Sequence, residues 1–336
     1  RTLSPFRGDG NLSKVPNLIY KQDGKVKVNR PFAKEELNAL PTPDFDGLPL
    51  DLYLAPDRVL PVMGSRGCYW EKCAFCSIPF DHMEFHVRYA ENVVNDFKAL
   101  QKKYNCNHFF FTDEALPINF LRTFAAKIIE EKIDVQWTGE LKFEKSLLKD
   151  DRMDLLYKSG CRKLIFGLES YNQRVLDSMK KGVELSWVDE TADRCIKLGI
   201  AMHFYLICGF PTETREEVMD SINFILDNQR LLDSPGFSAI LSQFDLERGA
   251  PIEKNPAEWG IKNLYTPPEH DLSLGYSYET TIGMNSEEIT ELYQQLIEKL
   301  GREVMTFPHN YSLSDGLLYL AHHQHNSLTE RLLALA

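Results

Sequence analysis

The chain has 336 residues, of which 43% are apolar and 26% charged, and its formal net charge is −11. This composition is typical of a soluble globular protein and excludes a disordered chain. The acidic balance argues against a broad nucleic-acid surface, which needs clustered Lys and Arg. A membrane span needs roughly 20 apolar residues, and the strongly apolar run at 200–211 is shorter. Residues 1–21 lack the apolar region of a signal peptide, so we expect a cytoplasmic protein with no membrane contact.

Residues 1–57 form an extended lead-in, because prolines and turn signals punctuate this segment. One hairpin is predicted within it, with Asn17–Tyr20 against Val26–Val28 across the Asp23-Gly24 turn.

Six apolar or β-branched segments alternate with five amphipathic segments from residue 58 onward. The predicted strands are Val59–Met63, His108–Thr112, Val135–Glu140, Lys163–Leu168, Ala201–Cys208 and Ala239–Phe244. The predicted helices lie near 91–104, 118–132, 146–158, 184–198 and 215–232. Such an alternation predicts a parallel sheet, which either closes as a partial barrel or stays open. In both cases ligand sites belong at the carboxyl ends of the strands.

The region after residue 250 has a looser pattern, with predicted helices at Ser286–Lys299 and near Asp315–His322. The sequence therefore divides into a lead-in at 1–57, a core at 58–250 and a C-terminal cap at 251–336, where we expect substrate contacts.

The seven cysteines fall into two groups. Four are scattered through regular segments and are expected to be small core residues of a protein from a reducing compartment: Cys106, Cys161, Cys195 and Cys208. The other three, Cys68, Cys73 and Cys76, lie within nine residues directly after the first predicted strand.

Soft thiolates select iron–sulfur clusters, zinc or cuprous copper. A structural zinc site needs four ligands, and no fourth cysteine is nearby, although His82 or His86 could serve. Three ligands to a four-iron cluster leave one iron open for chemistry. We therefore favour an iron–sulfur cluster over zinc.

Three motifs carry a family resemblance. The loop Arg66–Cys76, with Phe75 before its last cysteine, resembles the signature of the radical S-adenosylmethionine (SAM) superfamily, although four residues rather than three separate the first two cysteines. The segments Gly167-Leu168-Glu169-Ser170 and Ile207–Thr214 are similar to elements of the cobalamin-binding-type and methylthiotransferase-like branches. The resemblance covers residues 58–250.

This resemblance implies an α/β fold, namely a partial parallel (β/α)6 barrel of the TIM type with an extended N-terminal lead-in and a C-terminal cap. It also implies a [4Fe–4S] cluster on the three cysteines and a SAM site. The residues predicted to bind the cofactors are Phe75, Asp113, Glu114, Glu169, Ser170 and Gly209. Asp113 and Glu114 could instead cap the following helix, and Glu169 could be a strand-end carboxylate.

The implied activity is reductive cleavage of SAM to a 5′-deoxyadenosyl radical. C–H functionalisation or methylation of a peptide or small metabolite would follow. An electron donor such as flavodoxin or ferredoxin would be needed. The alternatives are a methylthiotransferase acting on tRNA, which the acidic charge opposes, and a non-enzymatic module stabilised by zinc or an iron–sulfur cluster.

The lead-in adds a cobalamin resemblance. The segments Val15–Tyr20 and Leu40–Phe45 are similar to the linker that follows a cobalamin domain, but the chain has no Asp-x-His-x-x-Gly cobalamin signature. Cobalamin would therefore be held by a domain that is not part of this chain.

Other polar residues have two interpretations each. Glu140, Tyr205 and Gln243 fall near predicted strand ends, where they are either substrate contacts and catalytic candidates or a polar rim. A further group near the C-terminus resembles a metal cluster but lacks an acidic or cysteine companion: His322, His323 and His325.

Overall fold

The structure is a computed structural model, which describes residues 11–30, 36–50, 57–79, 84–267 and 273–303. Several predictions lie outside these residues: the helix near Asp315–His322 and the side chains of His82, His322, His323 and His325. The chain divides into two compact units, residues 1–41 and 42–336.

The small unit contains the predicted hairpin. Strand β1 (Ile19–Gln22) pairs antiparallel with β2 (Lys25–Val28), so the first strand lies two residues closer to the turn than predicted and the second begins one residue earlier. Asp23 and Gly24 form the turn with φ values of +50° and +75°. Two successive residues with positive φ give a tight two-residue turn, which pairs the flanking residues directly.

The strands of the large unit are β3 (Val59–Val62), β4 (Ser65–Arg66), β5 (His86–Val87), β6 (His108–Phe111), β7 (Gln136–Leu141), β8 (Cys161–Glu169), β9 (Ala201–Cys208), β10 (Ser238–Gln243), β11 (Leu246–Glu247), β12 (Ile261–Tyr265) and β13 (Gly275–Thr280). Its helices are α1 (Ala90–Tyr104), α2 (Ile118–Glu130), α3 (Arg152–Lys158), α4 (Gln173–Ser178), α5 (Leu185–Leu198), α6 (Arg215–Leu226), α7 (Gln229–Leu232), α8 (Pro251–Lys254) and α9 (Ser286–Glu303).

The central sheet confirms the predicted architecture. Its six parallel strands follow the order β3-β6-β7-β8-β9-β10, which is their order along the chain. Helices connect the successive strands, as parallel pairing requires. The fold is therefore α/β, with the strand order of a partial TIM-type barrel, and the carboxyl ends of all six strands meet at one edge.

Two predicted helices differ from the observed ones. Helix α3 begins only at Arg152, because Asp150 takes a φ of +54° that a helix does not allow. The predicted helix at 215–232 is two helices, α6 and α7. The side chain of Asn228 accepts a hydrogen bond from the Leu231 amide and so starts a new helix.

The main core lies between the sheet and the helices. Phe109 and Phe111 of β6 are buried against Phe97 of α1 and Phe124 of α2, and the rings of Phe97 and Phe109 stack with centroids 4.1 Å apart. Each such buried ring contributes roughly 1.5–3 kcal/mol to folding. On β7, Trp137 is buried on this helix-facing side. Successive side chains of a strand point to opposite faces, so Glu140 lies on the other side of the sheet.

The last part of the large unit adds a second, antiparallel sheet with the order β11-β13-β12. Strand β11 precedes residue 250 and pairs with β13 after it. At the N-terminal end of the large unit, the amide of Phe45 donates a hydrogen bond to the Tyr104 hydroxyl of α1 at 2.7 Å. The boundaries at 57 and 250 stay predictions. Among the described residues, no helix is long and apolar enough to cross a membrane.

Candidate functional site

The three clustered cysteines lie on the loop that follows β3 and β4, at the carboxyl edge of the sheet. Cys68, Cys73 and Cys76 are partly exposed, whereas the other four cysteines are buried, and none of the seven forms a disulfide. Burial raises the pKa of buried thiols such as Cys195 and Cys161, which makes them poor nucleophiles and ligands. The accessible thiols of the chain are therefore those of the loop.

Backbone hydrogen bonds anchor this loop through Ala74, which is fully buried. The Ala74 amide donates to the Met179 carbonyl at 2.8 Å, and the Ala74 carbonyl accepts from the Ile252 amide at 2.9 Å. Its methyl group packs in a second apolar cluster with Phe210 and Val175. The loop is thus held between the segment after α4 and helix α8.

Trp70 provides a second anchor. Its indole N–H donates to the Lys180 carbonyl at 2.9 Å. The ammonium of Lys142 lies 4.1 Å from its ring centroid. Gly182 has a φ of +60°, and a β-carbon there would collide with the indole. A glycine is therefore needed at 182 for both the backbone conformation and the close approach.

The three thiols influence one another and share cationic neighbours. Burial raises the pKa of Cys73, and it raises that of Cys76 to about 11; Cys68 raises both further, whereas Lys181 lowers both. Thiolates in this loop therefore need positive charge nearby, which bound iron supplies. Three accessible thiols on one loop, with a lysine beside them, fit an iron–sulfur cluster.

The zinc alternative includes His82, which lies outside the described residues. No three His, Cys, Asp or Glu side chains among them converge closely enough to hold one metal ion. His86 pairs across β4 and β5 with Arg66, and its ring nitrogen lies 3.8 Å from the Glu84 carboxylate. The thiolate ligands of a [4Fe–4S] cluster bind separate irons, so three cysteines that hold such a cluster need not converge on one ion.

A buried ion pair lies beside the thiols. The Lys181 ammonium is 2.6 Å from the Glu169 carboxylate, with side-chain exposures of 11% and 9%. Burial by itself lowers the pKa of Lys181, but Glu169 and Cys73 outweigh burial and hold it above its usual range. Lys181 is therefore a permanent buried cation at the carboxyl end of β8.

Gly167 leaves the space for this pair. A β-carbon at Gly167 would come within 2.7 Å of the Lys181 ammonium and would also collide with the Glu169 carboxylate. Glu169 itself has a φ of +63° at a bulge between β8 and β9. The Gly-x-Glu pattern thus reflects a bent strand end that turns its carboxylate back over the glycine.

Two of the predicted catalytic candidates, Glu140 and Tyr205, meet on the side of the sheet that faces away from the helices. The Tyr205 hydroxyl donates to the Glu140 carboxylate at 3.3 Å. Burial raises the pKa of Glu140 to about 7, and the charges of Glu114 and Glu169 raise it further, while Lys181 opposes them. The Glu114 residue is exposed overall, but the protein around its carboxylate partly desolvates it and raises its pKa. The predicted residues Glu114, Glu140 and Glu169 therefore share one electrostatic environment.

Asp113 is buried beneath the start of the cysteine loop. One carboxylate oxygen accepts from the Gly64 amide at 2.9 Å, and the other accepts from the Ser65 hydroxyl at 2.6 Å. Burial raises its pKa to about 6 although both hydrogen bonds lower it. These contacts support a role in positioning the loop, while direct contact with SAM stays a prediction.

Replacing Asp113 with Ala should destabilise the fold by about 1–3 kcal/mol, because it leaves the Gly64 and Ser65 donors buried without a partner. Urea unfolding measures this effect. Asp154→Ala, on the exposed side of α3, is the control and should stay within about 0.5 kcal/mol of the parent. Parent stability combined with weakened SAM binding would instead show that Asp113 is a ligand contact.

The remaining predicted residues have other surroundings. Ser170 is fully buried, with its hydroxyl 3.3 Å from that of Ser221 on α6. Gln243, at the end of β10, is exposed and lies 3.4 Å from the Thr290 hydroxyl of α9. The ring of Phe75 lies 5.8 Å from the Lys181 ammonium.

Gly209 is enclosed at the end of β9. Its amide donates to the Glu213 carboxylate at 2.7 Å, and its φ is +86°. A β-carbon would come within 2.5 Å of Ile289 on α9. The backbone at Gly209 is therefore fixed by a turn that only glycine adopts easily.

Sequence reasoning missed two buried lysines beside the cysteine loop. Lys181 and Lys142 are both buried at the carboxyl edge, and each approaches the cysteine loop. Burial lowers the pKa of Lys142 to about 8, which leaves its ammonium mostly charged at neutral pH. The available signal was Gly182 soon after the Gly-x-Glu-Ser element, since a glycine favours a turn and so brings Lys181 to the end of a connecting segment.

Comparison with solved structures gives the same fold. The SAM methyltransferase TsrM of Kitasatospora setae, with a tryptophan substrate and a SAM analogue bound, superposes with a TM-score of 0.61 at 15% identity, over 85% of this chain and 64% of that one. The cobalamin-dependent SAM radical enzyme OxsB superposes with a TM-score of 0.63 at 16% identity, over 87% and 48%. Such low identity establishes the fold alone.

Sequence comparison gives a family match for the central segment of the chain. The model of the radical SAM superfamily matches residues 62–225, so this segment, which holds the three cysteines and the Lys181–Glu169 pair, belongs to that superfamily.

Named relatives are mostly methyltransferases. An uncharacterised methyltransferase of Pyrococcus horikoshii is 30% identical over 63% of this chain and 47% of its own length. The bacteriochlorophyllide d C-12(1)-methyltransferase of Chlorobaculum tepidum is 26% identical over 54% and 40%. A tRNA-2-methylthio-N(6)-dimethylallyladenosine synthase of Fusobacterium nucleatum is 24% identical over 65% and 51%. The chain thus spans about half the length of the curated relatives it matches.

Proposed function

We propose that this chain is the catalytic domain of a radical SAM enzyme that methylates, or otherwise functionalises at a C–H bond, a peptide or small metabolite. The observation that carries this proposal is the placement of three accessible thiols beside the buried Lys181–Glu169 pair at the carboxyl edge of a partial barrel. The methyltransferase relatives favour this function over tRNA methylthiolation and over a non-enzymatic module.

Cys68, Cys73 and Cys76 hold the cluster, and Ala74 and Trp70 fix their loop. A bound [4Fe–4S] cluster supplies the electron that splits the sulfonium bond of SAM. Phe75, between the last two thiols and beside Lys181, excludes water from this region.

The charges near the thiols match those of SAM, which carries a carboxylate, an ammonium and a sulfonium. Lys181 is the buried cation that suits the carboxylate of SAM, because it lies beside Cys73 at the end of β8. Glu114, Glu140 and Glu169 form the acidic side of the same region and suit the two cationic groups. Ser170 and Gly209 shape the ends of β8 and β9 that border it.

Cobalamin belongs to the longer protein in this proposal. The OxsB and TsrM structures are described as cobalamin-bound or cobalamin-dependent, and the chain spans about half of the relatives' length. A separate domain would hold cobalamin, which would supply the methyl group.

The proposed partners are a small-molecule or peptide substrate and a reductant such as flavodoxin or ferredoxin. A nucleic-acid substrate is disfavoured by the net charge of −11. Seven free cysteines suit a reducing compartment, so we place the protein in the cytoplasm.

The test is anaerobic cleavage of SAM. The purified chain is reconstituted with iron and sulfide, reduced with dithionite and mixed with SAM, and 5′-deoxyadenosine is measured by mass spectrometry. We expect it to form with the parent and not with Cys68→Ala. A loaded, reduced cluster that neither binds SAM in calorimetry nor cleaves it would refute the proposal.

A further inference from the structure

Lys142 is a cation that the proposed SAM contacts do not use. It directly follows β7, and the residue is only 5% exposed. Its ammonium donates to the Gly182 carbonyl at 2.6 Å and lies 4.1 Å from the Trp70 ring centroid. Lys142 is therefore held in one place by a carbonyl and an aromatic face.

The place where Lys142 is held is next to the thiols. Trp70 lies between Cys68 and Cys73 in the loop, and both cysteines interact electrostatically with Lys142. A charge held in a buried position acts more strongly on its neighbours than a charge in water. Lys142 thus adds positive potential at the loop that holds the cluster.

Lys72 is a natural comparison. Its ammonium also lies over the Trp70 ring, at 4.8 Å from the centroid, but its side chain is exposed. Water and salt screen exposed charges, so two lysines on one ring differ mainly in burial.

We infer that Lys142 raises the reduction potential of the cluster and so makes it easier for the electron donor to reduce. Reduction adds one negative charge to the cluster, and a fixed buried cation stabilises the reduced form more than the oxidised form. Net charge near an iron–sulfur cluster is one of the factors that set its potential. This inference rests on the proposed function, because it requires a cluster on the three cysteines.

The test is a redox titration of the reconstituted protein at pH 7 without SAM, monitored by electron paramagnetic resonance. Lys142→Met should destabilise the reduced form at least tenfold, which corresponds to a shift of about 59 mV to more negative potential for one electron. Lys142→Arg and Lys72→Met should both titrate at the parent potential, since the first keeps the buried charge and the second removes an exposed one.

A Lys142→Met protein with the parent's iron content and the parent's potential would overturn the inference. If that variant does not load iron, Lys142→Gln replaces it, because its amide can still donate to the Gly182 carbonyl while the charge is lost. A parent potential in Lys142→Gln overturns the inference equally, and a negative shift supports it. Cleavage of SAM is scored separately, so failure of the proposed activity with an intact cluster stays distinguishable.

Discussion

Replacing Cys73 with Ala should abolish cleavage of SAM and lower the bound iron of the reconstituted protein, while the chain stays folded. The thiol is partly exposed and its loop is anchored independently through Ala74, so the structural loss is small. With one ligand missing, a four-iron cluster retains too few thiolates to stay bound. Iron and sulfide content, absorbance near 400 nm and 5′-deoxyadenosine formation are the measurements.

The matched control for Cys73→Ala is Cys195→Ala. Cys195 is fully buried on α5 in the main core, so its loss removes one small core group but no ligand. We expect this variant to lose some stability and to keep the parent's iron content. Parent levels of iron and SAM cleavage in Cys73→Ala would contradict the cluster assignment.

Replacing Lys181 with Met should cost about 3–5 kcal/mol of folding stability, because it leaves the Glu169 carboxylate buried without its counter-ion. The pair is separated by 2.6 Å, and both side chains are nearly buried, so solvent replaces little of the lost interaction. SAM binding should also weaken strongly, since the buried cation at the carboxyl edge is gone. Urea unfolding and calorimetric titration with SAM measure the two effects.

The double variant Lys181→Met with Glu169→Gln separates stability from binding. It removes the unpaired charge, so we expect it to recover most of the lost stability. SAM binding should stay weak, because Glu169 is itself one of the proposed SAM contacts. The exposed pair Arg194–Glu190 on α5, at 2.6 Å, serves as control, because breaking an exposed pair costs about 0–1 kcal/mol. A Lys181→Met protein as stable as the parent would contradict this prediction.

The sequence predicted the central strands of the sheet well because β8 and β9 are buried on both faces. In a chain of alternating strands and helices, a continuous apolar run such as Ala201–Cys208 indicates a buried parallel strand. The observed strand has the predicted bounds. The antiparallel sheet β11-β13-β12 was missed because its strands are short and half-exposed. A sequence such as Gly275–Thr280 contains too few apolar residues to indicate a strand.

The site was predictable where a residue acts through its own chemistry, as the three cysteines do. It was not predictable where a residue acts through a tertiary partner. Lys181 is separated by 108 residues from Cys73 along the chain, and no local pattern reports that their side chains interact. The contact of Gly182 with Trp70 likewise exists only after folding.

The anchoring of Ala74 also determines when the cluster loop takes its shape during protein synthesis. Its two backbone hydrogen bonds reach Met179 and Ile252, so the second partner leaves the ribosome 178 residues after Ala74 itself. At about 5–20 residues per second, synthesis of these residues takes roughly 10–40 seconds, during which the cysteine loop lacks its second anchor. We expect iron to be inserted only after α8 has been synthesised, because the loop lacks its second anchor until then.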